Sequence, residues 1–99
     1  MQTLNVVFQV TCLSEDPMAP ARVMGVFASR GLLPRHFAST VDGSGEVHIE
    51  IHLLLERGEY CGPCHLGRVI SRLPIVLSTG LWIDGRWTAL DLNAETEPG

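Results

Sequence analysis

Residues 46–55 read Glu-Val-His-Ile-Glu-Ile-His-Leu-Leu-Leu, with apolar side chains at Val47, Ile49, Ile51, Leu53 and Leu55. Successive side chains of an extended strand point to opposite faces. One face of this segment is therefore continuous hydrocarbon. The other carries Glu46, His48, Glu50 and His52. A strand of this kind belongs in a sheet that is covered on one side and wet, or met by a partner, on the other.

The rest of the chain supplies the cover. Val6, Phe8, Val10 and Cys12 alternate with Val7, Gln9 and Thr11, which reads as a first strand. Ser14-Glu15-Asp16-Pro17 is a turn signal. A helix opens near Ala19, with Pro20 at its first position, where the missing N–H costs little. Val23, Val26 and Phe27, joined by Ala19, form its apolar stripe. Arg30 is expected in its last turn, Gly31 at its left-handed end, and Pro34 beyond it. His36 to Val41 is a second strand, joined through Asp42-Gly43-Ser44-Gly45 to the third. A loop is expected over Glu56-Arg57-Gly58-Glu59-Tyr60. A second helix is expected from about Cys64 to Leu73, with Leu66, Val69, Ile70 and Leu73 on one stripe. Pro74 ends it, and Ile75 to Ile83 is a fourth strand interrupted in character by Gly80.

The order is β-α-β-β-α-β. With right-handed crossovers it folds most simply into a ferredoxin-like α+β domain, a four-stranded antiparallel sheet with both helices on one face. Asp84-Gly85 adds a two-residue hairpin signal that sets Trp82 opposite Trp87. A cross-strand pair of this type adds up to about 1 kcal/mol. Thr88, Leu90 and Leu92 continue an alternation. Residues 1–92 are thus expected to form a single domain, with 93–99 as a frayed tail.

With 99 residues, 45% hydrophobic and 18% charged, the chain can bury one modest core. Its seven basic residues are all Arg and the net charge is −4, which argues against nucleic acid as a partner. No apolar run is long enough to span a membrane. The first residues lack the basic region of a secretory leader. Three cysteines cannot all pair within one chain, so free thiols in a cytoplasmic setting are the expectation.

Two local features bear on chemistry. Cys61-Gly62-Pro63-Cys64-His65 carries the four-residue string of the thioredoxin motif at an expected helix start, where the dipole favours thiolate. It also offers Cys61, Cys64 and His65 as three metal donors, one short of a closed zinc site. The third reading is that Gly62-Pro63 merely shapes the helix start. On the third strand, His48 and His52 lie about 14 Å apart along the chain direction, too far to share one ion. Their alternation with carboxylates reads as a solvated or interfacial face, which His36 on the second strand extends. No serine has the spacing of a catalytic nucleophile, no resident cofactor is implied, and the chain is not expected to be an enzyme.

The run Ala21-Arg22-Val23-Met24-Gly25-Val26-Phe27-Ala28-Ser29-Arg30-Gly31 resembles the first helix of ACT domains, small modules that bind amino acids and regulate enzymes. It is most similar to that of the small regulatory subunits of acetolactate synthase. Ile70-Ser71-Arg72-Leu73-Pro74-Ile75-Val76 is a weaker echo of the same family. The resemblance implies a homodimer with sheets paired side by side. It implies docking on a thiamine-diphosphate-dependent catalytic subunit. It also implies an amino acid such as valine held near Asp16, Pro17, Met18 and Ala19, where Met18 stands in place of the glycine many ACT domains carry. Gly25, costly by about 1 kcal/mol in mid-helix, then implies close approach of another backbone, within the chain or from a partner.

Overall fold

The computed structural model describes residues 3–13, 17–56 and 62–90. The chain runs β1 (Thr3–Cys12), α1 (Ala19–Ala28), β2 (His36–Val41), β3 (Val47–Glu56), α2 (Gly62–Ser71), β4 (Val76–Ile83) and β5 (Arg86–Thr88). The result is an α+β fold. All strand pairs are antiparallel, in the order β2-β3-β1-β4-β5. Among the described residues the sheet has five strands, the four of the β-α-β-β-α-β order and the hairpin strand that the Asp84-Gly85 turn adds outside β4.

The period-two pattern decides which face is buried. Val6, Phe8, Val10 and Cys12 of β1 lie opposite Leu53, Ile51, Ile49 and Val47 of β3, and all eight are buried. Ala19, Val23, Val26 and Phe27 of α1 and Leu66 and Ile70 of α2 join them in one core cluster. Phe8 and Phe27 meet there with ring centroids 5.7 Å apart. Both helices therefore close the same side of the sheet and leave the other side open.

α1 opens at Ala19 as expected, and the other helix ends differ from expectation for local reasons. α1 stops at Ala28, so Arg30 lies just past it rather than in its last turn. Its Nη1 donates to the Val26 carbonyl at 3.0 Å, which satisfies an orphan acceptor all the same. Gly31 takes the left-handed conformation (φ 69°). The Leu32 N–H to Phe27 O and Gly31 N–H to Ala28 O bonds complete a Schellman ending. α2 starts at Gly62, since Pro63 is tolerated in a first turn. It ends at Ser71, where Leu73 N–H bonds to Ile70 O and tightens the chain into a 3₁₀-like turn.

Two expectations about β4 and the segment beyond it need correction. Gly80 does not interrupt β4, which pairs continuously with β1 from Val6↔Ile83 to Thr11↔Ser78. A Cβ at Gly80 would stand 3.0 Å from the rings of both Trp82 and Trp87, so the missing side chain makes room for the indoles. The alternation through Leu90 is not a longer strand. β5 ends at Thr88, and the methyls of Leu90 lie 2.9 Å from where a Cβ of Gly67 would be, so Leu90 packs on α2. Leu92 and the 93–99 tail lie outside the described residues.

Candidate functional site

The open face is built from the residues that the core pattern leaves out. Strand register places His36, His52, Val7, Trp82 and Trp87 in one row across all five strands. The next row is Ala38, Glu50, Gln9 and Gly80, and the third is Thr40, His48, Thr11 and Ser78. Small residues sit between long ones. The result is a shallow depression of about 380 Å³ lined by Gln9, Thr11, Ala38, Thr40, His48 and Glu50.

Two polar clusters border this depression. In the first, His52 Nε2 lies 2.7 Å from Glu50 Oε2. The ring of His36 meets that of His52 edge to face, with centroids 5.0 Å apart. In the second, Asp42 organises the β2–β3 turn. Its Oδ1 accepts from Ser44 N–H (2.8 Å), Ser44 Oγ–H (2.6 Å) and Glu46 N–H (3.1 Å). Its Oδ2 lies 2.6 Å from His48 Nε2, while His48 Nδ1 lies 3.3 Å from Thr11 Oγ1. The Ser44 hydroxyl, then His48, hold the Asp42 carboxyl well below the usual carboxylate range.

His48 and His52 stand in different clusters, as their spacing requires. The grouping of His36 with Glu50 and His52 was not anticipated from the sequence, because spacing was counted along β3 alone. The signal lay in the turn. Asp42 N–H bonds to Glu46 O and Gly45 is left-handed (φ 89°). That is a three-residue hairpin loop, and counting back from it brings His36 opposite His52.

The loop leading into α1 is arranged less favourably. Asp16 lies outside the described residues. Pro17 and Met18 are exposed, and the side chain of Ala19 is fully buried in the core. Met18 precedes the helix without capping it through its side chain. At the other motif, Cys61 lies outside the described residues. Cys64 is half-buried in the first turn of α2 and packs against the core, and His65 is the next residue, also half-buried. Gly25 is exposed, and a Cβ built there meets nothing within 4 Å. Its lack of a side chain therefore serves no packing among the described residues.

The two sheet edges are unlike. On the β4 side the end strand is the three-residue β5. On the other side β2 is the end strand, and its core-side residues Ser39 and Val41 are exposed although their partners Ile49 and Val47 are buried. Val41 is 67% exposed.

No protein-family model matches this chain, and no curated protein does. Among solved structures it is similar to the C-terminal domain of the MgtC protein from Mycobacterium tuberculosis, a solution structure. The two are 18% identical over 87% of this chain and 93% of that one, with a TM-score of 0.62. A likeness at that identity concerns the fold. No helix among the described residues is long and apolar enough to cross a membrane.

Proposed function

We propose that the chain is a regulatory module that acts by contact. In this reading it is a ferredoxin-like, ACT-like small subunit of an acetolactate synthase-type enzyme, working in the cytoplasm as a homodimer. The observation that carries the reading is the β2 edge. An end strand offers unpaired backbone groups, and natural sheets cover or blunt such edges. Here one edge is the three-residue β5, too short to offer a long template, while the six-residue β2 presents an exposed Val41 on the side where the core should continue. A second copy joined edge to edge through β2 extends the sheet and covers that residue, and a two-fold axis makes the contact self-complementary.

The helix that connects β1 to β2 offers a second surface for contact. Gly25 leaves the middle of α1 bare and exposed at a helix-propensity cost of about 1 kcal/mol. Nothing among the described residues offsets that cost, whereas a partner backbone lying against the helix would. The run around Gly25 is also the segment that carries the ACT resemblance. Amino-acid responsiveness is inferred from that resemblance alone, which puts the ligand near Asp16, Pro17, Met18 and Ala19.

The reading is tested by mixing the full chain with the thiamine-diphosphate-dependent acetolactate synthase subunit of the same host. Co-elution and a changed turnover are expected, with valine shifting the response. Separate elution with unchanged turnover would defeat it. A melting scan with valine tests the ligand arm separately. Saturation at one hundred times Kd adds about 2.7 kcal/mol of stability.

A further inference from the structure

The geometry points to a divalent transition-metal site on the open face of the sheet, held by the imidazoles of His36 and His52 and the carboxylate of Glu50. It does not rest on the regulatory reading above. One donor atom from each of the three residues lies within 4.8 Å of the others. Glu50 Oε2 and His52 Nε2 are already 2.7 Å apart. Two donors each about 2.1 Å from a tetrahedral zinc ion are separated by about 3.4 Å, so this pair needs only to part slightly around an ion. His36 closes the set. Its side chain is exposed, and a rotation of its ring moves nothing in the core.

The backbone fixes these positions in advance. His36 and His52 are direct partners in the β2–β3 ladder, and Glu50 is the next residue of β3 on the same face. Val7, half-buried, flanks His52 in the same row. Ligands on paired strands keep their spacing without the ion, which lowers the ordering cost of binding.

The donor set selects the class of metal. Magnesium and calcium want oxygen ligands, whereas two imidazoles with one carboxylate suit zinc, nickel, copper or iron. Three protein ligands also leave a coordination position open toward solvent, for water or for a donor from a bound molecule.

Asp42, Glu46 and His48 form a second trio of similar closeness, but one of its two carboxylates, that of Asp42, is already committed. Asp42 Oδ1 receives three hydrogen bonds from Ser44 and Glu46, and its Oδ2 contacts His48. Moving that carboxylate onto an ion would unmake the turn. The second trio is a turn-holding device, and the first is the site.

The test is titration of the full chain with Zn²⁺ by calorimetry, repeated with Co²⁺ for its visible absorption. The parent is a Cys61→Ser/Cys64→Ser variant, so that the two motif thiols contribute nothing, and the remaining Cys12 is wholly buried in the core. It should bind one Zn²⁺ per chain at micromolar concentrations. His36→Ala and Glu50→Gln should each weaken binding about tenfold or more, the scale on which ligand-shell residues act, with melting temperatures unchanged because both side chains face solvent. His48→Asn, which lies in the other cluster and outside the ligand set, should leave affinity unchanged. Absence of Zn²⁺ binding in this parent would overturn the assignment. So would a His36→Ala variant that binds as tightly as the parent, or a His48→Asn variant that loses as much as His36→Ala.

Discussion

The indoles of Trp82 and Trp87 meet edge to face across the β4–β5 hairpin, with ring centroids 4.9 Å apart and planes at 70°. The contact is set by the turn beneath it. Asp84 and Gly85 both have positive φ (50° and 80°), the backbone of a tight type I′ connection. Asp84 is also tied to β1, by its N–H to Asn5 O at 2.8 Å and by Asn5 N–H to its Oδ1 at 2.9 Å. Trp87 is 60% exposed, so its worth is the ring pair more than its burial. Trp87→Ala should cost about 1 kcal/mol in urea unfolding and abolish the near-ultraviolet coupling of the two indoles. Gly80→Ala should disturb the same signal, because its Cβ would press on both rings.

Much of this architecture was legible because its local signals agree. The alternation in β3, the Asp42-Gly43-Ser44-Gly45 loop and the Asp84-Gly85 turn each specify a register, and together they fix four of the five strands. The helices were legible in existence, and α1 also in its start at Ala19 and its left-handed Gly31. The ends of α2 were not, because Pro63 is admitted by a first-turn place that needs no donor and the Leu73 turn acts through a hydrogen bond rather than through hydropathy. Gly80 was misread because a glycine in a strand pattern looks like a break until its neighbours' indoles are placed. The His36–Glu50–His52 grouping was hidden because it exists across strands. Leu90 left its alternation because Gly67 on α2 gave it a place to pack.

That last pair makes a coupled prediction. Gly67→Ala gains about 1 kcal/mol of helix propensity but pushes its methyl into Leu90, whose side chain must move aside. The two effects oppose, and the single variant should stay within about 1 kcal/mol of the parent. In a Leu90→Ala background the clash is gone, so the same substitution should stabilise by nearly the full propensity gain. A double-mutant cycle should return a coupling of about 0.5 kcal/mol or more.

Asp42 should make the hairpin acid-sensitive. Its folded-state pKa is depressed by Ser44 and then by His48. A group depressed in the folded state contributes stability above its ordinary value of about 3.9 and loses it as pH falls through the folded value. Melting temperature should therefore fall below about pH 4 more steeply in the parent than in Asp42→Asn. Equal slopes in the two proteins would show that the carboxylate's hydrogen bonds do not stabilise the turn.

Gly25→Ala should raise the melting temperature of the isolated chain. Open space surrounds the new methyl, and a gain of up to about 1 kcal/mol corresponds to about 4–8 °C in a domain of this size. If α1 meets a partner, Gly25→Leu should keep this stability and yet weaken the association.

The sheet-edge contact is the centre of the account. The Asp42–Glu46 hydrogen bond sets the alternation of the β2–β3 ladder, by which the N–H of Ser39 points away from β3. Ser39→Pro therefore removes an edge donor without touching that ladder. Val41→Glu places a charge on the exposed apolar position. Sedimentation velocity of the full chain from micromolar to millimolar concentration is the direct measurement. The parent should sediment as a dimer, and both variants should sediment as folded monomers. A parent that remains monomeric throughout, or variants that dimerise as it does, would contradict the account.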